Sequence, residues 1–311
     1  MAKKLPRQVK LVKESSIKQK KGSKHVSYSQ LSSYATCPRQ WYLSYVRNLA
    51  PYQASIHAVF GTAMHETIQN WLTVMYEQTA KAANEIDLNA YLYERLVANY
   101  KIQKRLNSHE HFSTSDELQM FYLDGKHILD YLKKKRGAYF STKKTYLAGV
   151  ETLLYQELRP GVYFKGFIDL VFYNEVLDKW LIIDIKTSTS GWNDFAKKDD
   201  KKIAQILLYK EFFAKQFDID IEKIDIQYFI LKRKVPVEAD FAVMQRRVQE
   251  WAPASGKIKR GKAISMMESF VKEAIDMEGN FIERDYQTTP SKNNCRFCVF
   301  NNSPLCGDSI L

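Results

Sequence analysis

Two apolar segments near the middle of the chain carry charged residues where a buried strand would carry none. The first, residues 166–172, reads GFIDLVF, and the second, residues 180–187, reads WLIIDIKT. Because side chains alternate between the two faces of a strand, Asp184 and Lys186 share one face, opposite their apolar neighbours. Ionised groups in such runs are costly unless they are paired or bind a metal. We therefore expect Asp169, Asp184 and Lys186 to carry the chemistry.

The chemistry that these residue types allow is hydrolysis assisted by a metal ion. Two carboxylates on neighbouring strands can converge on a hard cation such as Mg²⁺ or Mn²⁺, which prefers oxygen ligands. Lys186 would lie beside that ion, orienting the attacking water and offsetting phosphate charge. The helix that follows carries Gln205 and Tyr209 at i,i+4 spacing, on one face. His65, on a separate helix, is a further candidate ligand, and the set suits phosphodiester hydrolysis.

Each component alone has a plainer interpretation. The D-x-K triplet also occurs as a surface ion pair at the end of a strand. A lone histidine on an amphipathic helix is more often a core or capping residue than a ligand, and Gln205 with Tyr209 could be an ordinary packed helix face. The ordered set is therefore more specific than any one of its members.

Hydrophobic periodicity and turn residues predict the elements that position these side chains. Residues 149–158, 162–173, 181–187 and 224–231 are expected to form strands. Helices are expected over residues 27–46 (interrupted at Cys37-Pro38), 60–76 (with Thr62 as N-cap), 201–216 and 264–277, and residues 84–136 read as a helical insertion.

Composition and charge favour a polyanionic partner. The 311 residues are 45% hydrophobic, enough for one large domain or a domain with a subdomain, and the net charge is +12. Residues 1–24 contain nine Lys or Arg and one acid, Glu14. We expect residues 1–26 to be a disordered basic arm that contacts nucleic acid, although the same run could simply aid solubility.

Membrane and secretory functions are not indicated. No apolar stretch approaches the roughly 20 residues of a membrane span, and the N-terminus lacks the apolar core of a secretory signal. We expect an intracellular, cytoplasmic protein that associates with the nucleoid, or acts in the host cytoplasm if a phage encodes it.

The ordered set H, G-x-I-D, D-I-K and Q-x-x-x-Y resembles the PD-(D/E)xK nuclease superfamily. It is most similar to the RecB-like branch, which includes AddB and the CRISPR-adaptation nucleases. The segments SYSQLSSYATCPRQWYLSYV and GTAMHETIQNW are similar to the N-terminal helices of that branch. The resemblance covers residues 27–311 and implies an α/β fold, a restriction-endonuclease-like mixed sheet flanked by helices, with helical N-terminal and inserted segments.

The resemblance also implies a role for each site residue. Metal would be bound by His65, Asp169, Asp184 and the Ile185 carbonyl. Lys186 would be the catalytic lysine, and Gln205 and Tyr209 would support the site and contact DNA. Glu151 falls near the position where some relatives place an extra acid.

The four cysteines are predicted to form one site. In an intracellular chain they favour metal or redox use over disulfides. One early cysteine followed by C-x-x-C and a last cysteine resembles the arrangement with which this branch holds a 4Fe–4S cluster, so residues 290–311 would clip the N-terminal helix. The final spacing is longer than is usual in relatives, and a structural Zn²⁺ site or reduced thiols remain alternatives. The residues are Cys37, Cys295, Cys298 and Cys306.

A basic stretch follows the last predicted strand. Residues 256–262, GKIKRGK, match a phosphate-binding loop, but Ala263 replaces the required hydroxyl and no strand is predicted before it, so an ATP site is rejected. We interpret the stretch as a phosphate-contacting surface. Its cations are Lys232, Arg233, Lys234, Arg246, Arg247, Lys257, Lys259, Arg260 and Lys262. Trp41, Tyr42 and Trp192 could stack on bases, or belong to the core.

Together these features predict a divalent-metal-dependent DNA nuclease. We expect an exonuclease acting on single-stranded or frayed ends in recombination, repair or mobile-element and phage DNA processing. Because the ATP site is rejected, we expect the protein to act alone or with a separate helicase or recombination protein. A structure-selective endonuclease, an RNA-processing nuclease and a non-cleaving DNA-binding subunit are the alternatives.

Overall fold

The chain folds into a mixed sheet covered by helices on both faces, which confirms the predicted α/β class. The computed structural model describes residues 5–236 and 245–307. Outside these ranges lie the first residues of the basic arm (1–4), part of the basic stretch (237–244) and the end of the C-terminal segment (308–311).

Within the described residues, six strands form one sheet, in the order β1-β3-β4-β5-β6, with β2 pairing with β3 as well. β4 and β5 are parallel and joined by a helical crossover, β1 is parallel to β3, and the other pairs are antiparallel. Two short strands, β1 and β6, were not predicted. The strands are β1 (Lys24–Val26), β2 (Thr145–Arg159), β3 (Val162–Asn174), β4 (Lys179–Ser188), β5 (Ile224–Lys232) and β6 (Val248–Trp251).

The helices begin and end close to their predicted positions, with two corrections. Helix α4 begins at Ile56 after Ser55, so the prediction of Thr62 as N-cap is wrong. The last long helix begins at Lys257, because the basic residues there continue its turns. The helices are α1 (Arg7–Lys13), α2 (Tyr28–Thr36), α3 (Pro38–Trp41), α4 (Ile56–Glu77), α5 (Ala80–Glu85), α6 (Leu88–Leu106), α7 (Ser115–Lys134), α8 (Arg136–Tyr139), α9 (Asp194–Lys197), α10 (Asp200–Phe217), α11 (Lys257–Ala274) and α12 (Lys292–Cys295), with a π-helical turn over Tyr42–Val46 and a 3₁₀ turn over Ile221–Lys223.

Each face of the sheet has its own hydrophobic core. Helices α2, α3, α10 and α11 cover one face, and α4, α6 and α7 cover the other, where residues 84–136 pack as helices. Trp41 is fully buried and Tyr42 is 6% exposed, so the core interpretation is correct for both and base stacking is not. Trp192 is half-buried against Tyr228 and Trp251.

The N-terminal segment differs from the predicted disordered arm. Helix α1 buries Val9 and Val12, which are three residues apart and so lie on one helix face. Residues 24–26 then pair with residues 162–164 of β3. Charge alone suggested disorder here, but these few apolar side chains find partners on the sheet.

The basic stretch is only partly available to phosphate. Arg233 pairs with buried Asp124 at 3.2 Å, and Arg260 pairs with Glu211 at 2.7 Å; both arginines are 7% exposed. Lys259 and Lys262 both contact one carboxylate of α10. β6 does precede the GKIKRGK sequence, but the buried arginine within it supports the rejection of an ATP site.

Within residues 5–236 and 245–307, no helix has both the length and the apolar character needed to cross a membrane.

Candidate active site

A gap in the sheet separates two pairing partners of β3. Along one edge, β3 pairs with β1 through residues 162–164 and with β4 through residues 170–174, and residues 165–169 lie between. Beyond Ile183, β4 pairs with β5 alone. Asp169 and Asp184 therefore lie where the strands diverge, and both line one cleft of about 410 Å³.

The main chain of β4 and a histidine of α4 fix the carboxylate of Asp169. The Ile185 N–H faces the gap and donates to Asp169 Oδ2 at 2.6 Å. His65 Nδ1 lies 3.7 Å from the same oxygen. Asp169 of β3, His65 of α4 and the main chain of β4 at Ile185 thus lie close together at the gap.

A second chain of contacts runs from Asp184 to helix α10. Lys186 Nζ lies 2.8 Å from Asp184 Oδ2, at ion-pair distance but outside hydrogen-bond geometry, so that buried oxygen has a counter-charge and no directed hydrogen bond. Lys186 donates to Gln205 Oε1 at 3.0 Å, and Gln205 Nε2 donates to the Tyr209 hydroxyl at 3.1 Å. Gln205 and Tyr209 thus hold the lysine in position over Asp184.

Glu151 completes the group around Asp169. It lies opposite Asp169 in the β2–β3 register, between the pairs Val150↔Leu170 and Thr152↔Ile168, and its φ of 48° is in the left-handed region. Such strain in a residue other than glycine persists where the surroundings enforce it, often at functional sites. Ligand atoms of His65, Glu151 and Asp169 all lie within 4.8 Å of one another.

A glutamine that the sequence reasoning missed holds Glu151. Gln69 Nε2 donates to Glu151 Oε1 at 2.6 Å and lies 3.5 Å from the Asp169 carbonyl oxygen. It follows His65 by four residues on α4, so both side chains lie on one helix face. That spacing was the signal available in the sequence.

Burial and mutual repulsion disfavour charge on the carboxyl groups. Burial, and then the charge of Asp184, raise the pKa of Asp169 to about 8. Burial also raises the pKa of Asp184, against the opposing effect of Lys186. For His65, burial and then Lys186 lower the pKa to about 4, although a backbone hydrogen bond with Ile185 opposes them. The imidazole is therefore neutral at pH 7, the form that binds a metal.

These features, two acids and a lysine at a gap between strands, have a counterpart among known families. A sequence model of the PD-(D/E)XK nuclease superfamily matches residues 25–304. The chain belongs to the PD-(D/E)XK nuclease superfamily. No curated protein gives a significant match to the chain. Membership supports nucleic acid as the substrate and phosphodiester hydrolysis as the reaction class.

The donor set of this nuclease fits a hard divalent cation. Carboxylate oxygens from Asp169 and Glu151, with one neutral imidazole nitrogen, suit Mn²⁺ or Mg²⁺. A cation would also relieve the repulsion that raises the pKa of Asp169. Asp184 lines the same cleft beside Lys186, outside the group of three.

The structure also brings the four predicted cysteines together. All four line one small cavity, and Cys37 lies at the end of α2. The Asn294 amide and the Thr289 hydroxyl donate to the Thr36 carbonyl and join the C-terminal segment to that helix. Burial raises the pKa of the Cys298 thiol, and the neighbouring Cys37 and Cys306 add to the effect.

Proposed function

We propose that this protein is a divalent-metal-dependent deoxyribonuclease of the RecB-like branch, acting as an exonuclease on single-stranded or frayed DNA ends. The observation that carries the proposal is the meeting of Asp169, Asp184 and Lys186 at the gap in the sheet, within one cleft. A net charge of +12 supports a polyanionic substrate.

Each residue has a distinct part in the proposed reaction. His65, Glu151 and Asp169 would hold the cation, and Asp184 lines the same cleft on the next strand. A cation bound there would polarise the scissile phosphate and lower the pKa of a water. Lys186 orients the attacking water and offsets charge on the phosphate. Gln205 holds the Lys186 ammonium group in place before the substrate binds, so the lysine side chain does not have to be ordered during the reaction.

The biological setting that we propose is recombination, repair or the processing of phage and mobile-element DNA in the cytoplasm. We propose that strand separation, where it is needed, is supplied by a separate helicase or recombination protein.

A cleavage assay on paired substrates tests the function. With Mn²⁺, the protein should degrade labelled linear single-stranded DNA and leave circular single strands intact. Asp184→Asn and Lys186→Ala should lower the rate by about 10²–10⁴-fold, whereas Lys81→Ala, an exposed control on α5, should not. Cleavage of circles would favour the endonuclease alternative. Binding without cleavage of any substrate would favour the non-cleaving subunit, and cleavage of RNA alone an RNA-processing enzyme.

We further propose that the four cysteines hold a 4Fe–4S cluster that joins α2 to the C-terminal segment. The support for the proposal is that all four thiols line one small cavity. Cysteine thiolates are the usual ligands of such a cluster, and their C-x-x-C spacing resembles the arrangement in the RecB-like branch.

Iron analysis and the visible spectrum test the cluster. Anaerobically purified protein should be brown and contain iron and acid-labile sulfide, and Cys295→Ser should lose the colour. Zinc without iron would instead establish the structural zinc site.

A further inference from the structure

A groove continues from the catalytic cleft along helix α2 to the C-terminal segment. It has a volume of about 660 Å³ and shares Tyr28 and Ser29 with the cleft. Its far wall is formed by Phe297 and Val299. A polymer whose scissile bond lies in the cleft can therefore extend directly into this groove, which we call the α2 groove.

The lining of the α2 groove is uncharged and rich in hydrogen-bonding groups. Most of the residues that line it carry hydroxyl or amide groups, a few are aromatic, and none is an acid or a cation. Phe297 is 82% exposed and Tyr45 is 42% exposed, so each presents a ring to whatever enters. The polar members include Ser29, Ser32, Ser33, Gln40, Ser44 and Gln53.

Cations lie beside the groove, outside its lining. The Arg296 guanidinium lies 5.1 Å from the centroid of the Phe297 ring. Lys201 Nζ donates to the Thr36 hydroxyl at 3.2 Å. Positive charge therefore lies next to a lining that is itself neutral and contains exposed aromatic rings.

The arrangement matches an unpaired strand and not a duplex. Bases of a single strand can stack on aromatic rings and bond to hydroxyls and amides, while its phosphates face cations at the edges. A duplex hides its bases and presents phosphates, so its binding surface would need cations in the lining.

We propose that the α2 groove binds an unpaired segment of single-stranded DNA next to the scissile phosphate, with bases stacked on Phe297 and Tyr45. The proposal rests on the nuclease function proposed above and adds to it a binding surface for the strand beyond the scissile phosphate. Phe297 lies between Cys295 and Cys298 in the chain, so filling the cysteine site would also hold this ring in place.

Fluorescence anisotropy with a short labelled oligonucleotide tests the groove. Ca²⁺ replaces Mn²⁺ so that the strand is bound without being cut. Phe297→Ala and Tyr45→Ala should each weaken the binding of single-stranded DNA about tenfold. Phe297→Trp should retain it. Tyr93→Ala removes a ring that is 58% exposed on α6, far along the chain from the groove, and should have no effect.

Three results would overturn the groove proposal. These are wild-type affinity in both alanine variants, equal binding of a blunt duplex, or tighter binding of RNA than of DNA. Cleavage with Mn²⁺ is measured in parallel. If the wild type cuts linear strands and both variants bind normally, only the groove assignment fails. If the wild type cuts nothing, the nuclease proposal fails, and the Ca²⁺ titration still reports on the groove.

Discussion

Removing the hydrogen bond between Gln69 and Glu151 should weaken the binding of the metal ion. Gln69 is 7% exposed on α4, whereas Glu151 is exposed on β2 and has a left-handed backbone. Gln69→Leu keeps the size of the side chain and removes the donor. The carboxylate of Glu151 would then be free to rotate away from His65 and Asp169.

The size of the effect follows from the geometry. A hydrogen bond to a charged group contributes about 1.5–3 kcal/mol, and the exposure of Glu151 places this 2.6 Å bond at the lower end. Since about 1.4 kcal/mol corresponds to a factor of ten, Mn²⁺ affinity should fall about tenfold. This tenfold loss agrees with the 10–100-fold loss of metal affinity that typically follows the removal of a residue that orients a metal ligand.

The Mn²⁺ affinity of the Gln69→Leu variant can be measured without a nuclease assay, by titrating the protein with Mn²⁺ and following the electron paramagnetic resonance of the free ion. Gln103→Leu is the matched control, because Gln103 is a half-buried helical glutamine that accepts one backbone hydrogen bond at 2.9 Å from Ser55. It should leave affinity unchanged, and Glu151→Gln should lower it at least as much as Gln69→Leu. The reasoning is refuted if Glu151→Gln weakens binding and Gln69→Leu does not. If neither does, Glu151 is not a ligand.

Three further predictions concern stability and catalysis. Gly125→Ala on α7 should lower the free energy of unfolding, measured in urea, by about 1–3 kcal/mol. The reason is that the added Cβ would lie 2.5 Å from a leucine of α6. The control is Gly137→Ala, whose Cβ would have no atom within 4 Å and which should change the free energy of unfolding by less than about 0.5 kcal/mol. In the same measurement Arg260→Ala should lower the free energy of unfolding by about 3–5 kcal/mol, because it leaves the acidic partner of the arginine unpaired. Lys257→Ala, at an exposed position, should not change the free energy of unfolding detectably. Tyr209→Phe should lower kcat about tenfold, the worth of one hydrogen bond, with unfolding unchanged; an unchanged kcat would remove the tyrosine from the chain that holds the lysine.

The sequence predicted the central strands and their charged residues because that information is local. Alternation over a few positions is enough to place Asp184 and Lys186 on one face. The cross-chain contacts could not be predicted in the same way. A count of basic residues does not reveal that Arg233 pairs with buried Asp124 of α7, or that Arg260 pairs with partly buried Glu211 of α10. Likewise, no residue type in β2 predicts the left-handed backbone at Glu151, because that conformation depends on the residues that surround it in the fold.

The four cysteines connect segments that lie far apart in the sequence. Cys37 shares a cavity with Cys295, Cys298 and Cys306, and the nearby strand β1 pairs with β3, which also comes much later in the chain. Because contacts between residues so distant in sequence form slowly, we expect these two connections to be among the last to form during folding. Loss of the cluster proposed above should therefore loosen α2 and the cysteine-containing C-terminal segment together, and limited proteolysis should then cut in both.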